Sequence, residues 1–306
     1  MAATVDRNIC VSWSNIPGYD GPYGYDPSLG AGISFCILFG MSTFSHIITS
    51  VLTRTWWQIV FAVGALTEVI GWAGRTWSSP CPYQTTPFLI QIVTLIIALA
   101  PAFFTAGTYV ILGRLIRTLG PHISPIGPNT YLYIFCSADI LSLVIQAIGG
   151  AQAASAYAQT PPSSTKVGTH IMVAGIVFQL ASVLVFSTLF FIVVKRAFKG
   201  NSEVLKERKI RALIAGTSLS VVCVIIRSVY RTVELSEGWS GYLITHEGYF
   251  IGLDGVLMVI AVGIFNFVQP RWAEDSCGHN GHKRAGSEEE MGDRGVPNED
   301  GIDRSG

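Results

Sequence analysis

Hydrophobic residues gather into seven long runs: 28–50, 57–77, 87–112, 131–153, 168–194, 211–233 and 244–268. Each is at least about 20 residues long, the length an α-helix needs to cross the apolar part of a bilayer. The polar links between them are short, and several are rich in Pro and Gly, as in "SSPCPYQTTP", "GPHISPIGPN" and "QTPPSSTK". The pattern predicts an all-α integral membrane bundle of seven transmembrane helices spanning 28–270. An N-terminal segment, 1–27, precedes it. A polar, Gly-rich tail, 271–306, follows and is expected to be disordered.

Lys and Arg are distributed unevenly over the links. Arg54, Arg114, Arg117, Arg271 and the cluster Lys195, Arg196, Lys199, Lys206, Arg208, Lys209 and Arg211 fall on one side, against Arg7 and Lys166 on the other. Basic short loops stay cytoplasmic, so the N-terminus is expected outside and the C-terminus inside. Trp56, Trp57, Trp239 and Tyr242 stand at span ends, where aromatic residues meet the lipid headgroups. No secretory signal precedes the first apolar run, which is expected to act as the targeting signal itself.

Composition agrees with this reading. Half of the 306 residues are hydrophobic and 13% are charged, about half the charge of an ordinary soluble domain. A formal net charge of zero gives no reason to expect a nucleic-acid partner. The basic 195–211 loop sets topology and offers a surface to anionic lipid heads. In the tail, "GSEEE" around Ser287 reads either as a phosphorylation site or as solvated acidic chain.

The polar residues inside the runs carry the candidate chemistry. An ionisable group in the bilayer is costly, faces the bundle interior and has a partner there. Glu68 and Arg75 lie two turns apart on one face of the second run, among Gly64, Gly71 and Gly74. Gln91, Thr94, Thr105 and Thr108 form a milder polar face on the third, which is expected to bend at Pro101. Asp139, Ser142 and Gln146 share a face of the fourth. Ser220, Cys223, Arg227, Arg231 and Glu234 make one stripe of the sixth, beside Tyr230. Glu247 and Asp254 are seven apart on the seventh, with His246 at its outer end.

Depth divides these groups into two sets. Arg75, Arg227, Arg231, Glu234, His246 and Glu247 belong to the outer half and read as an ion-pair network. Glu68, Asp139 and Asp254 lie near mid-depth, where no basic residue matches them, and with Gln146 they read as a candidate substrate site. The alternative is that all of these groups fix helix register. His46 and His170 read as structural histidines.

Several chemistries are disfavoured. No lysine lies within a span to form a retinal Schiff base, and no GxxxxGK[ST] or HExxH motif is present. Ser42 precedes His46 by four residues, a spacing seen in zinc-dependent membrane hydrolases, but the further histidines such enzymes need are missing. No metal, cofactor or enzymatic activity is expected. Cys10 and Cys81 both fall on the outer side, where a disulfide can form.

Six stretches in order carry a family resemblance: "YDPSLGAGISFCILFG" from Tyr25, "TEVIGWAGR" from Thr67, "LAPAFFTAGTYVILGRLIR" from Leu99, "DILSLVIQAIGG" from Asp139, "GIVFQL" from Gly175, and "RSVYRTVELSEGWSGYLITHEGYFIGLDGVLMVIAVGIFNFVQP" from Arg227. They resemble the fungal lipid-translocating exporters, seven-span proteins linked with resistance to 7-aminocholesterol and sphingoid long-chain bases. The resemblance implies a fungal source, a plasma-membrane location and export of amphiphilic membrane lipids, sphingoid bases in particular. One branch of that family is tied to porphyrin uptake or heme efflux. The rival reading is a seven-helix receptor acting through signalling, although "GRLIR" stands where a DRY-like triplet would follow the third span, and "FNFVQP" stands in place of NPxxY.

Overall fold

The computed structural model describes residues 10, 23, 25–91, 99–158, 164–200, 203–238 and 241–269. Arg7, Thr94, the 159–163 part of the "QTPPSSTK" link, Trp239, Arg271, Ser287 and the tail they belong to lie outside the described residues.

The regular structure of the described residues is all helical, with no strand among them. The helices are α1 (Leu29–Thr53), α2 (Ile59–Ser78, entered through a 3₁₀ turn, Trp56–Gln58), α3 (Thr85–Gln91), α4 (Leu99–Leu119), α5 (Pro128–Ala158), α6 (Lys166–Lys199), α7 (Arg208–Ser236) and α8 (Glu247–Phe267). Six are long and apolar enough to cross a membrane: α1, α2 with its leading turn, α5, α6, α7 and α8. The remaining predicted span, 87–112, corresponds to α3 and α4, and its 92–98 portion lies outside the described residues. Its helix also runs seven residues past the predicted end, to Leu119.

Local chemistry sets several boundaries. The Ser28 side chain accepts from the Ala31 N–H at the start of α1, and Arg54 ends the helix in the left-handed conformation at φ 55°. Gly120 stops α4 at φ 110°, a value that favours glycine.

Two aromatic cores hold the helices together. Phe35, Phe39, Phe61, Trp72, Phe104, Met258 and Phe265 join α1, α2, α4 and α8, with Phe35 stacked on Trp72 at 4.2 Å. Tyr109, Phe135, Phe186, Phe190, Ile210 and Ile214 join α4, α5, α6 and α7. The outward faces of α1, α5 and α6 are lined by Ile, Leu, Val and Phe that remain exposed, as a lipid-facing surface requires.

Between α5 and α6 the contact is backbone to backbone. A Cβ on Gly168 would lie 2.4 Å from the Ala153 nitrogen, and one on Gly149 would lie 2.5 Å from the Met172 nitrogen. Without a hydrophobic drive between helices in lipid, such small-residue contacts let dispersion forces join them. Basic residues gather in and beside the α1–α2, α4–α5 and α6–α7 links, at the adjoining helix ends, and Lys195, Arg196, Lys199, Lys206, Arg208, Lys209 and Arg211 are all exposed.

Candidate functional site

The acid and arginine side chains of α2, α7 and α8 converge where α2 and α7 end and α8 begins. Helical spacing explains each contribution. Arg227, Arg231 and Glu234 recur on one stripe of α7, and all three are buried. Glu68 and Arg75 recur on one face of α2 and are likewise buried. On α8, residues Ile251–Val256 form a π-helical stretch that carries Asp254. Gly255 beside it has no room for a side chain, because a Cβ there would meet Trp72 at 2.7 Å and Phe35 at 2.8 Å. Close approach at Gly255 therefore seats α8 against the α1–α2 aromatic pair while Asp254 meets α7.

Asp254 lies 2.7 Å from Arg227 Nε and 3.3 Å from Arg231 Nε. Arg231 also pairs with Glu234 one turn along, and the Tyr230 hydroxyl donates to Glu234 Oε1 at 2.8 Å. Arg75 donates to Glu247 Oε1 at 2.8 Å and to the Tyr25 hydroxyl at 2.7 Å. The Phe250 ring lies 4.7 Å from the Arg75 guanidinium carbon and 5.4 Å from that of Arg231, so one aromatic ring serves both cations.

Glu68 differs from the other acids of this cluster. It is 1% exposed and sits in the field of Asp254, Arg227 and Arg231, with Trp72 one turn away on its own helix. Among the described residues it forms no ion pair, and its Oε1 has no hydrogen-bond partner. The cluster thus sets four carboxylates, Glu68, Glu234, Glu247 and Asp254, against three guanidiniums, Arg75, Arg227 and Arg231. Glu68 is the carboxylate left over.

The described residues of the N-terminal segment, 10, 23 and 25–28, are tied to this end of the bundle at several points. Cys10 and Cys81 are joined in a disulfide with Cα atoms 4.7 Å apart. Tyr23 donates to Gln91 Oε1 at 3.1 Å and is bonded to the Ser78 hydroxyl at 2.7 Å. The Ser28 N–H donates to Glu247 Oε1 at 2.9 Å. Burial pushes the Tyr23 phenol up to about 12, against smaller opposing effects of its Ser78 bond and of Arg75. Burial raises the Tyr25 phenol as well, opposed by Arg75.

Three sequence expectations need correction. Asp254 is not an unmatched mid-depth acid, because both α7 arginines reach it; register within a helix cannot report a partner on the next helix. His246 is exposed and turned away from the network, with Nδ1 2.8 Å from the Tyr242 carbonyl oxygen and its ring 4.0 Å from that of Tyr242. The expectation of satisfied structural histidines fails for both residues: His170 is exposed on α6, and His46, though buried, has no hydrogen-bond partner at Nε2 among the described residues.

Asp139 and Gln146 belong to other hydrogen-bond groups. Asp139 Oδ2 accepts from Thr105 at 2.8 Å and from Tyr109 at 2.9 Å, both on α4. Gln146 Nε2 donates to Ser142 at 2.7 Å and to Gln179 Oε1 at 3.0 Å, which pins α5 to α6 where Gly175 leaves room for it. Sequence reasoning did not single out Tyr25, Phe250 or Trp72 as part of the site. Aromatic residues crowded around a buried arginine were the available signal.

Among the described residues no group of three or more His, Cys, Asp or Glu is placed to hold a metal ion. With four carboxyl groups against three guanidiniums, the cluster has one acid available to pair with a further cation.

The RTA1 like protein family matches residues 61–276, which include every acid and arginine of the cluster. The chain is 31% identical over 284 residues to the sphingoid long-chain base transporter RSB1 of Saccharomyces cerevisiae, covering 82% of this chain and 73% of that one. It is 31% identical over 212 residues to protoporphyrin uptake protein 1 of the same yeast (68% of this chain, 67% of that one). Protein RTA1 of that yeast is 28% identical over 273 residues, covering 79% and 83%. No solved structure matches the chain. With the family match spanning most of its apolar helices, the chain belongs to the RTA1-like family.

Proposed function

We propose that this protein moves cationic long-chain amphiphiles, sphingoid bases above all, across a fungal plasma membrane. In this reading α3, α4 and the residues between them complete a seventh span. The basic α1–α2, α4–α5 and α6–α7 links then face the cytoplasm, and the ion cluster lies in the outer half of the bilayer. The basic α6–α7 link lies against anionic lipid heads.

The observation that carries the reading is the surplus carboxylate. A sphingoid base pairs an ammonium head with an apolar tail. Carrying the head through the bilayer needs a buried negative charge that is not already cancelled, and Glu68 supplies it. The arginines hold Glu234, Glu247 and Asp254 in place, so the head meets a fixed site. One relative is a protoporphyrin uptake protein. Protoporphyrin carries two carboxylates, and a cluster already one negative charge in excess favours an ammonium over a dicarboxylate. Asp139 and Gln146, held within their own helix contacts, serve the bundle more than the head.

Reconstitution tests the proposal. Purified protein in liposomes is expected to move a fluorescent sphingoid base between leaflets faster than protein-free liposomes do. A receptor that confers resistance by signalling would leave the rate at the protein-free value.

A further inference from the structure

The opposite half of the same helices contains a second group of buried polar side chains, which the ammonium site does not use. Ser42, His46 and Ser50 recur every four residues on one face of α1, all buried. Gln58 in the turn to α2 is 1% exposed, and Asn266 approaches from α8, donating to the Ser42 hydroxyl at 3.1 Å.

These groups are poorly satisfied. Among the described residues His46 Nε2, the Ser50 hydroxyl, both polar atoms of the Gln58 amide and Asn266 Oδ1 have no hydrogen-bond partner. The His46 imidazole is hydrogen-bonded to the Val262 carbonyl and stacks on Phe61 at 5.5 Å. Donation to that carbonyl by one ring nitrogen leaves Nε2 as a bare acceptor. Buried polar atoms left open in this way are normally bridged by water.

The helix register places the group on a line with Glu68. The α1–α2 pairs Gly32–Thr76, Phe35–Trp72, Cys36–Val69 and His46–Phe61 fix an antiparallel alignment. By that alignment His46 lies about 10 Å, and Ser50 about 16 Å, from the level of Glu68, toward the α1–α2 turn. The polar file therefore occupies the levels between the surplus carboxylate and the basic end of the bundle.

The surplus carboxylate itself sets the chemistry. A lone charge at this depth is expensive, so Glu68 holds either a proton or a cation. The groups facing it are Arg227 and Arg231 from α7, Asp254 from α8 and Trp72 from its own helix. Those facing His46 are Phe61 of the second helix and Val262 of the last, between Ser42 and Ser50 on its own.

We propose that the Ser42–His46–Ser50–Gln58–Asn266 file is a hydrated proton route, and that the protein exchanges one proton on Glu68 for one cationic head. The inference rests on the ammonium reading of the site. As the ammonium docks, the Glu68 carboxyl gives up its proton, which passes through water and His46 Nε2 to the cytoplasmic end. When the head leaves outward, Glu68 takes a proton from the outer side, where Glu247 is 20% exposed. One positive charge moves each way, so the cycle is electroneutral.

The test uses full-length protein in liposomes with an imposed pH difference, and N,N,N-trimethylsphingosine as probe. Its fixed charge removes the passive leak of a neutral amine. One-for-one exchange predicts accumulation on the acidic side, about tenfold per pH unit. His46→Gln should bind the probe as well as the wild type but exchange it at least tenfold more slowly. As a folding-independent check, Ser50→Cys should react with a small charged thiol reagent from the aqueous phase well above the wild-type background. Probe movement indifferent to the pH difference, an unchanged rate in His46→Gln, or an unreactive Ser50→Cys would each overturn the proton route and leave the ammonium reading standing. Movement of neither the probe nor sphingosine itself would overturn that reading as well.

Discussion

Replacing Glu68 with glutamine separates binding from stability in a way that replacing Asp254 does not. Glu68 is buried with no ion pair among the described residues, whereas Asp254 is shared by Arg227 and Arg231. At about 4 Å and an effective dielectric near 20, an ammonium–carboxylate attraction is roughly 4 kcal/mol before desolvation is subtracted. A charged hydrogen bond retains about 1.5–3 kcal/mol net, so Glu68→Gln should weaken sphingoid-base binding about 10- to 150-fold. The same change puts an amide of nearly equal volume in place of a buried carboxyl group that forms no ion pair among the described residues. Folded yield and detergent melting temperature should therefore equal or exceed the wild type. Asp254→Asn removes the counter-charge that Arg227 and Arg231 share and should lose about 3–5 kcal/mol, visible as poor yield and early melting. Equilibrium binding of radiolabelled sphingoid base and thermal melts, run on both purified variants, decide the matter. Wild-type binding by Glu68→Gln, or severe destabilisation by it, would refute the reasoning.

Further outcomes follow from other parts of the bundle. Gly168→Ala puts a methyl group against the α5 backbone and should cost about 1–3 kcal/mol, whereas Gly263→Ala, with nothing within 4 Å of its new Cβ, should leave the melting temperature unchanged. Reducing the Cys10–Cys81 bridge, which spans 71 residues of chain, should lower stability by about 4 kcal/mol on loop entropy, measured as a melting shift with and without reductant. The Tyr23 phenol, raised from 10.0 to about 12, should make stability fall between those two pH values. In that window the unfolded chain has released the proton while the folded one retains it. Tyr23→Phe should flatten that part of the stability profile.

Much of the fold was legible because a membrane imposes one simple demand, a long run of apolar residues per span. The interior face of α7 was legible for the same kind of reason: Ser220, Cys223, Arg227, Arg231 and Glu234 repeat at helical spacing, and all are buried. Sequence alone does not show which helix supplies a partner. Asp139 looked unmatched because its partners on α4 are the hydroxyls of Thr105 and Tyr109 rather than a cation. Asp254 looked unmatched because its partners sit on α7 while Asp254 itself rides on a π-helical stretch that no apolar pattern announces. Glu68 is proposed for the role its sequence context suggested because it is the carboxylate left over when the arginines of the cluster have been assigned.

The discrimination between head groups tests the central claim most directly. In the same proteoliposomes, leaflet exchange would be measured for a fluorescent sphingoid base and for its N-acetylated, uncharged analogue. A site built on the surplus Glu68 carboxylate predicts that the ammonium form moves at least tenfold faster, and that Glu68→Gln erases the difference. Equal rates for the two lipids in the wild type, or a preference that survives Glu68→Gln, would contradict it.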